Sequence, residues 1–274
     1  MKLVFFFVLA LFACNKTFAT IVIAGNDSIV SSSSSTWAWD GTQHQELRDA
    51  LEDTDNFGNS GIVGHEVELR TLGSNITASS LQDVDIFVAS YWFDSQAAIY
   101  SSVLVDYFLA GGDLIILQDS SAYDGIGEAL GIATNAVTTN PTTVSSASLL
   151  GDGPFGTVAP INQIGTIGHL DSTAISSKNG TVCGTDAAGR ATIACWQDGE
   201  YAANAGSLTI FADVDLISGL YGEADFSPTN DKGRLALNTF AFHMSEVNSV
   251  STPPILCLMI LASMCMLRRR MITA

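Results

Sequence analysis

The central part of this sequence is short of positive charge. Between Thr20 and Val250 only Arg48, Arg70, Lys178, Arg190, Lys232 and Arg234 are basic, whereas all 28 acidic residues lie there. Six against 28 leaves that span at −22, more negative than the −17 of the whole chain. Such a surface repels phosphate backbones and anionic lipid, which excludes nucleic acid as a partner. Cationic ligands, calcium or plain solubility in salt suit it better. No apolar run reaches the ~20 residues that a membrane-spanning helix needs. Cysteine is scarce: of five, Cys14, Cys257 and Cys265 lie near the ends and only Cys183 and Cys195 lie between. No EF-hand loop, Gly-Asp repeat or internal repeat is evident.

What is present begins at the two ends. Lys2 precedes an apolar stretch, Leu3 to Ala13, and Thr17-Phe18-Ala19 has the small-x-small form of a cleavage site. This predicts a secretory signal peptide over residues 1–19. Leu11-Phe12-Ala13-Cys14 is a poor lipid-attachment site, because Phe12 is bulky where a small residue is wanted. At the other end, Thr252-Pro253-Pro254 is followed by apolar Ile255–Leu267 and then Arg268, Arg269 and Arg270. The arginines favour the cytoplasmic side. This tail resembles the PEP-CTERM sorting signal of Gram-negative bacteria, although the usual Pro-Glu-Pro is absent. The resemblance implies passage through the export machinery and cutting by an exosortase-type enzyme. It also implies delivery to the envelope surface or extracellular matrix, with surface polysaccharide as a candidate partner. A plain tail anchor is the alternative.

Cys183 and Cys195 are twelve positions apart in a chain expected to be exported, so a disulfide is expected. No His lies near them with zinc-site spacing; two buried thiols are the other reading.

Between the ends, apolar strands alternate with helices. Ile21–Gly25, His65–Leu72, Asp85–Ser90 and Leu114–Leu117 read as strands. Gln43–Asp53, with Thr42 as its cap, Ser95–Leu109, ended by Ala110-Gly111-Gly112, and Asp124–Leu130 read as helices. This order predicts an α/β fold with a doubly wound, mainly parallel sheet. Residues 134–190, rich in Ser, Thr and Gly, read as a β or irregular insertion. Strands return at Ala191–Trp196 and Leu208–Phe211, and a helix at Asn230–Met244. The expected organisation is a signal peptide (1–19), one domain (20–246) and a sorting tail (247–274). Leu81-x-x-x-Asp85-Ile86-Phe87-Val88, followed by Val103 to Leu117 with its Gly111-Gly112 stop, resembles the class I glutamine amidotransferase-like fold in its ThuA-like, non-catalytic branches. Phe211-Ala212-Asp213-Val214-Asp215 and the Asn230–Asn238 stretch look similar too.

An active amidotransferase of that class needs a cysteine on a tight strand-to-helix turn, with a downstream His and Glu. The turn expected to match, Gln118 to Ala122, has none. Ser120 or Ser121 with His169 or His243 as base would make a degenerate hydrolase, but serines after a strand are usually turn formers. His44 and His65 read as surface residues. Open α/β sheets bind ligands beyond the carboxyl ends of their strands. That edge is expected to gather Asn26, Asp27, Tyr91, Trp92, Asp94 and Asp119, with Asp213 and Asp215 as candidate calcium ligands. Aromatic rings beside carboxylates suit sugar binding. Tyr91 and Trp92 as buried caps over the sheet are the competing reading. The expected function is therefore an exported, non-catalytic ligand-binding or matrix-associated protein. A hydrolase using the Asp119–Ser121 turn and a purely structural surface protein are the alternatives.

Overall fold

The structure, a computed structural model, describes residues 20–27, 36–73, 76–138, 142–163, 167–219 and 226–247. The predicted signal peptide with Ala19 and the sorting motif with Pro253, Pro254 and Arg268 to Arg270 lie outside these residues. Among the described residues no helix is long and apolar enough to cross a membrane.

Nine strands form one mixed sheet. Five are parallel: β1 (Ile21–Asn26), β2 (Val67–Leu72), β3 (Ile86–Ser90), β4 (Asp113–Leu117) and β13 (Leu208–Phe211), in the order β2-β1-β3-β4-β13. This is the doubly wound arrangement that places a switch point between β1 and β3. The strands β1, β3, β4 and β13 are buried along their whole length. Their alternate residues enter opposite layers, as a period of two requires. Ile86 and Val88 face a core built with α1 (Gln45–Glu52) and α6 (Asp231–Val247). Phe87 and Ala89 face a second core with α2 (Asp94–Leu109) and α3 (Gly125–Ala129). Helix α2 stops where predicted: Gly111 takes φ 104° and the Gly112 N–H returns to Tyr107 O at 3.0 Å. Thr42 is not a cap; it opens a 3-10 turn, Thr42–His44, that leads into α1.

The predicted insertion is regular. It holds β5 (Thr134–Thr138), β6 (Thr142–Ser146), α4 (Ser148–Gly151), a small β7 (Asp152–Gly153) and β8 (Gly156–Thr157) pair, and β9 (Ile161–Gln163). β10 (Ile167–Leu170) pairs with β5, and α5 (Ser172–Ser177) leads into β11 (Thr181–Asp186). Strands β12 (Ala191–Trp196), β11, β6 and β9 extend the sheet beyond β13, each antiparallel to its neighbour. Cys183 sits in a bulge of β11, where the pairing to β12 skips a residue. The bulge brings it to Cys195, and the two are joined in a disulfide with a Cα–Cα distance of 5.9 Å. Both half-cystines are fully buried.

Candidate functional site

The candidate site forms at the carboxyl ends of β1, β3, β4 and β13. It is built on Ser90, the last residue of β3. The Asn26 side chain clamps the Ser90 backbone from β1, accepting its N–H at 2.7 Å and donating to its carbonyl at 3.0 Å. Ser90 Oγ donates to Trp37 O at 2.5 Å. Its single proton is spent there, so the His44 contact at 2.9 Å is a donation from His44 Nε2–H. Burial, then Arg48, pulls His44 down to about 3, which keeps the ring neutral. This chain fixes the backbone of Trp37, and its indole N–H then reaches Asp215 Oδ1 at 3.2 Å. The Ser218 hydroxyl donates to the same oxygen at 2.9 Å.

Tyr91 follows Ser90 with φ 53°, a left-handed backbone that bulky residues rarely adopt and that costs about 1–2 kcal/mol. The strained strand-to-helix turn is therefore here, between β3 and α2. Among the described residues, none from Gln118 to Ala122 has a positive φ. The turn aims the Tyr91 ring along the sheet edge. There it stacks on Tyr123 at 4.3 Å and meets Trp37 at 5.5 Å, while Phe93 stacks on the other side of Tyr123 at 4.6 Å.

Three carboxyls stand beside this ladder of rings. Asp213 follows β13 and caps a 3-10 turn, Val214–Leu216, by accepting from Asp215 N at 2.9 Å. Asp213 and Asp215 thus lie on a turn rather than alternating along a strand. Burial pushes Asp119 up to about 6, Asp215 adds to the rise, and a hydrogen bond from Tyr91 opposes it. Asp213 is raised well above the usual carboxylate range by burial and by Asp215 and Asp119. Asp215 is raised by burial as well, against its bonds from Trp37 and Ser218. The buried Lys232 of α6 draws both Asp213 and Asp215 back toward ionisation. Burial and like charge thus favour the protonated form at all three, most strongly at Asp213, the deepest of them.

Of the six residues expected to bind ligand, Tyr91 and Asp119 meet at this edge. Asn26 is fully buried and serves as the Ser90 clamp. Asp27 sits against Gly73 after β1. Trp92 is 2 % exposed and packs edge-on against Phe87 and Tyr100, so it faces the core. Asp94 begins α2 and accepts from Gly125 N at 3.1 Å, pinning α3. Ser120 and Ser121 lie on the turn after β4, where Ser120 O accepts from Tyr123 N. His169 is turned to Asp186, with Nε2 at 3.2 Å from Oδ2, and Arg190 grips the same carboxylate. His243 is bonded to Ser207 and Thr209 at the opposite end of β13, so it is no base for this edge. The structure corrects the surface reading of two histidines: His44 is fully buried and His65 is 4 % exposed. Trp37, His44, Ser90, Tyr123 and Lys232 carry no motif. Of these only Ser90 lies in the Ser90-Tyr91-Trp92 run that ends a readable strand. Among the described residues no group of three or more His, Cys, Asp or Glu side chains is placed to hold a metal ion.

No protein-family model and no curated protein matches the chain. Solved structures share its fold. The mmIFT52 N-terminal domain superposes with a TM-score of 0.53 at 14% identity, over 80% of this chain and 95% of that one. A GMP synthase subunit from Thermoplasma acidophilum gives 0.47 at 10% identity, over 84% and 98%. A ThuA-like protein from Bacteroides uniformis gives 0.44 at 11% identity, over 82% and 90%. The last two are looser than the first, and at these identities what the chain shares with such structures is an α/β fold.

Proposed function

We propose that this is an exported, surface-sorted protein that binds a polyhydroxylated ligand, the neutral sugar of a surface polysaccharide, without catalysing a reaction. The observation that carries the binding is the Trp37–Asp215 contact. It sets a half-exposed indole ring beside half-exposed carboxyls, Asp215 and Asp119, at the carboxyl edge of the sheet. Every sugar hydroxyl both donates and accepts. A protonated carboxyl donates and an ionised one accepts, so carboxyls whose burial differs can answer both. The rim of the ring ladder supplies the apolar surface that sugar C–H faces favour. Export rests on the two terminal signals, and the acidic span between them agrees with a life outside the cell, away from nucleic acid.

The reading without catalysis is supported at the strained turn. There the residue with φ 53° is Tyr91, a side chain that stacks on its neighbours, and not a Cys or Ser held up to a substrate. A glycan microarray probed with the purified protein should show binding to neutral oligosaccharides. Ser120→Ala and Ser121→Ala should leave that binding and every associated phenotype intact. Arrays empty of neutral glycans would refute the ligand class. Secreted material whose mass includes the intact tail through Ala274 would refute the sorting step.

A further inference from the structure

A cleft of about 520 Å³ lies at the other edge of the sheet, where β3 and β4 begin. Its charged lining is entirely acidic: Asp85, Asp106, Asp113 and Asp198, with no Lys, Arg or His. Helix α2 ends against it through Asp106, Tyr107 and Ala110. The last turn of that helix holds no basic residue, so the negative end of its dipole is uncompensated.

Two of the four carboxyls are built into the fold: Asp85 Oδ2 accepts from Val22 N at 2.8 Å, and Asp113 is the more deeply buried of the two. Asp113 is 5 % exposed, and its Oδ1 accepts from Ser207 N at 2.8 Å. Its Oδ2 has His243 Nδ1 at 3.9 Å, beyond hydrogen-bond reach. Burial lowers His243 to about 3, so the protein supplies no cation from behind. Asp113 thus opens on a cavity in which all its charged neighbours have its own sign. We propose that this cleft binds a linear aliphatic polyamine, with Asp113 holding one ammonium at the base and Asp106 and Asp198 holding others at the rim.

Two features select an organic cation. The carboxylates are not grouped to hold a metal ion among the described residues. Between them, Leu81, Val84 and Val103 give the cleft apolar wall, which suits the methylenes of a polyamine. The Tyr107 ring closes one side, fixed by its hydroxyl donating to Asp85 O at 2.9 Å. The groups facing Asp113 are Asp85, Tyr107, Asp198 and His243. Burial first, then Asp198, lifts Asp113 to about 8. An ammonium therefore displaces a proton there, and binding tightens as pH rises from 6 toward 8, while the ligand's amines remain charged.

The test is calorimetric titration of the full chain with spermidine and putrescine at low ionic strength. Spermidine should bind at one site, more tightly than putrescine. The surface variants Asp106→Asn and Asp198→Asn should each weaken it three-fold or more, while Glu52→Gln on α1 should not. Absence of spermidine binding would overturn the proposal. So would an equal loss in Glu52→Gln, because the attraction would then belong to the whole acidic surface.

Discussion

The parallel and antiparallel halves of the sheet are held by different means. Strands β1, β3 and β4 are apolar on both faces because helices cover both faces, and each is fully buried. Beyond β12 the strands thin out: β11 and β6 are part-exposed, and β9 has three residues. That half gains a covalent tie, Cys183–Cys195, where the other half has only packing. Its junction with the parallel half is β13, parallel to β4 on one side and antiparallel to β12 on the other. The comparison teaches where each job is done: both candidate binding edges are ends of parallel strands, while the antiparallel half extends and closes the core.

The largest effect should come from breaking the junction. Phe211 of β13 is fully buried in the core that includes α6. Phe211→Ala should cost about 3–5 kcal/mol in denaturant unfolding, with both halves lost together. Next, Cys183→Ser opens a tie between residues twelve apart and should cost about 3 kcal/mol. Hydrogen exchange should then quicken in β6, β11 and β12 while β1, β3 and β4 stay protected. Uniform loss of protection would erase the distinction between the halves.

A third effect is the pH dependence of stability. The folded state holds Asp113 protonated up to about 8, whereas the unfolded chain releases that proton near the ordinary carboxylate value. Stability must therefore fall as pH rises between those values. His44 and His243, both lowered to about 3, add stability that grows with pH only up to their ordinary value of 6.5. From pH 6.5 to 8 Asp113 should supply a falling slope of up to ~1.4 kcal/mol per pH unit. Asp113→Asn should make it shallower in chemical denaturation, and what remains comes from Asp213, which burial also raises. The smallest effect is at Tyr91. Tyr91→Gly should be about 1 kcal/mol more stable than Tyr91→Ala, because glycine takes φ 53° without strain.

The parallel half was legible in the sequence for a physical reason. A strand covered on both faces must be apolar throughout, as Ile86-Phe87-Val88-Ala89 is, and Gly111-Gly112 marks where its helix stops. The antiparallel half was not, because Thr142–Ser146 and Thr181–Asp186 carry Thr, Ser and Gly on strands that are only partly buried. The disulfide was readable from the cysteine count together with the expectation of export. At the site, Asp119 and Tyr91 were found because they end strands. Trp37 and His44 were missed because their roles come from hydrogen bonds across 53 and 46 residues of chain. A histidine in isolation reads as surface. Only the fold shows that all four are buried, with exposures of 0 to 4 %.

The central claim is that the ring-and-carboxylate surface at the carboxyl edge binds a sugar. Its most direct measurement is the affinity of an array-identified neutral oligosaccharide for the protein and for Trp37→Ala and Asp119→Asn, with folding checked by thermal melting. The account predicts ten-fold or greater weakening in both variants while Asp106→Asn, at the opposite edge, binds normally. Unchanged affinity in folded Trp37→Ala and Asp119→Asn would contradict it.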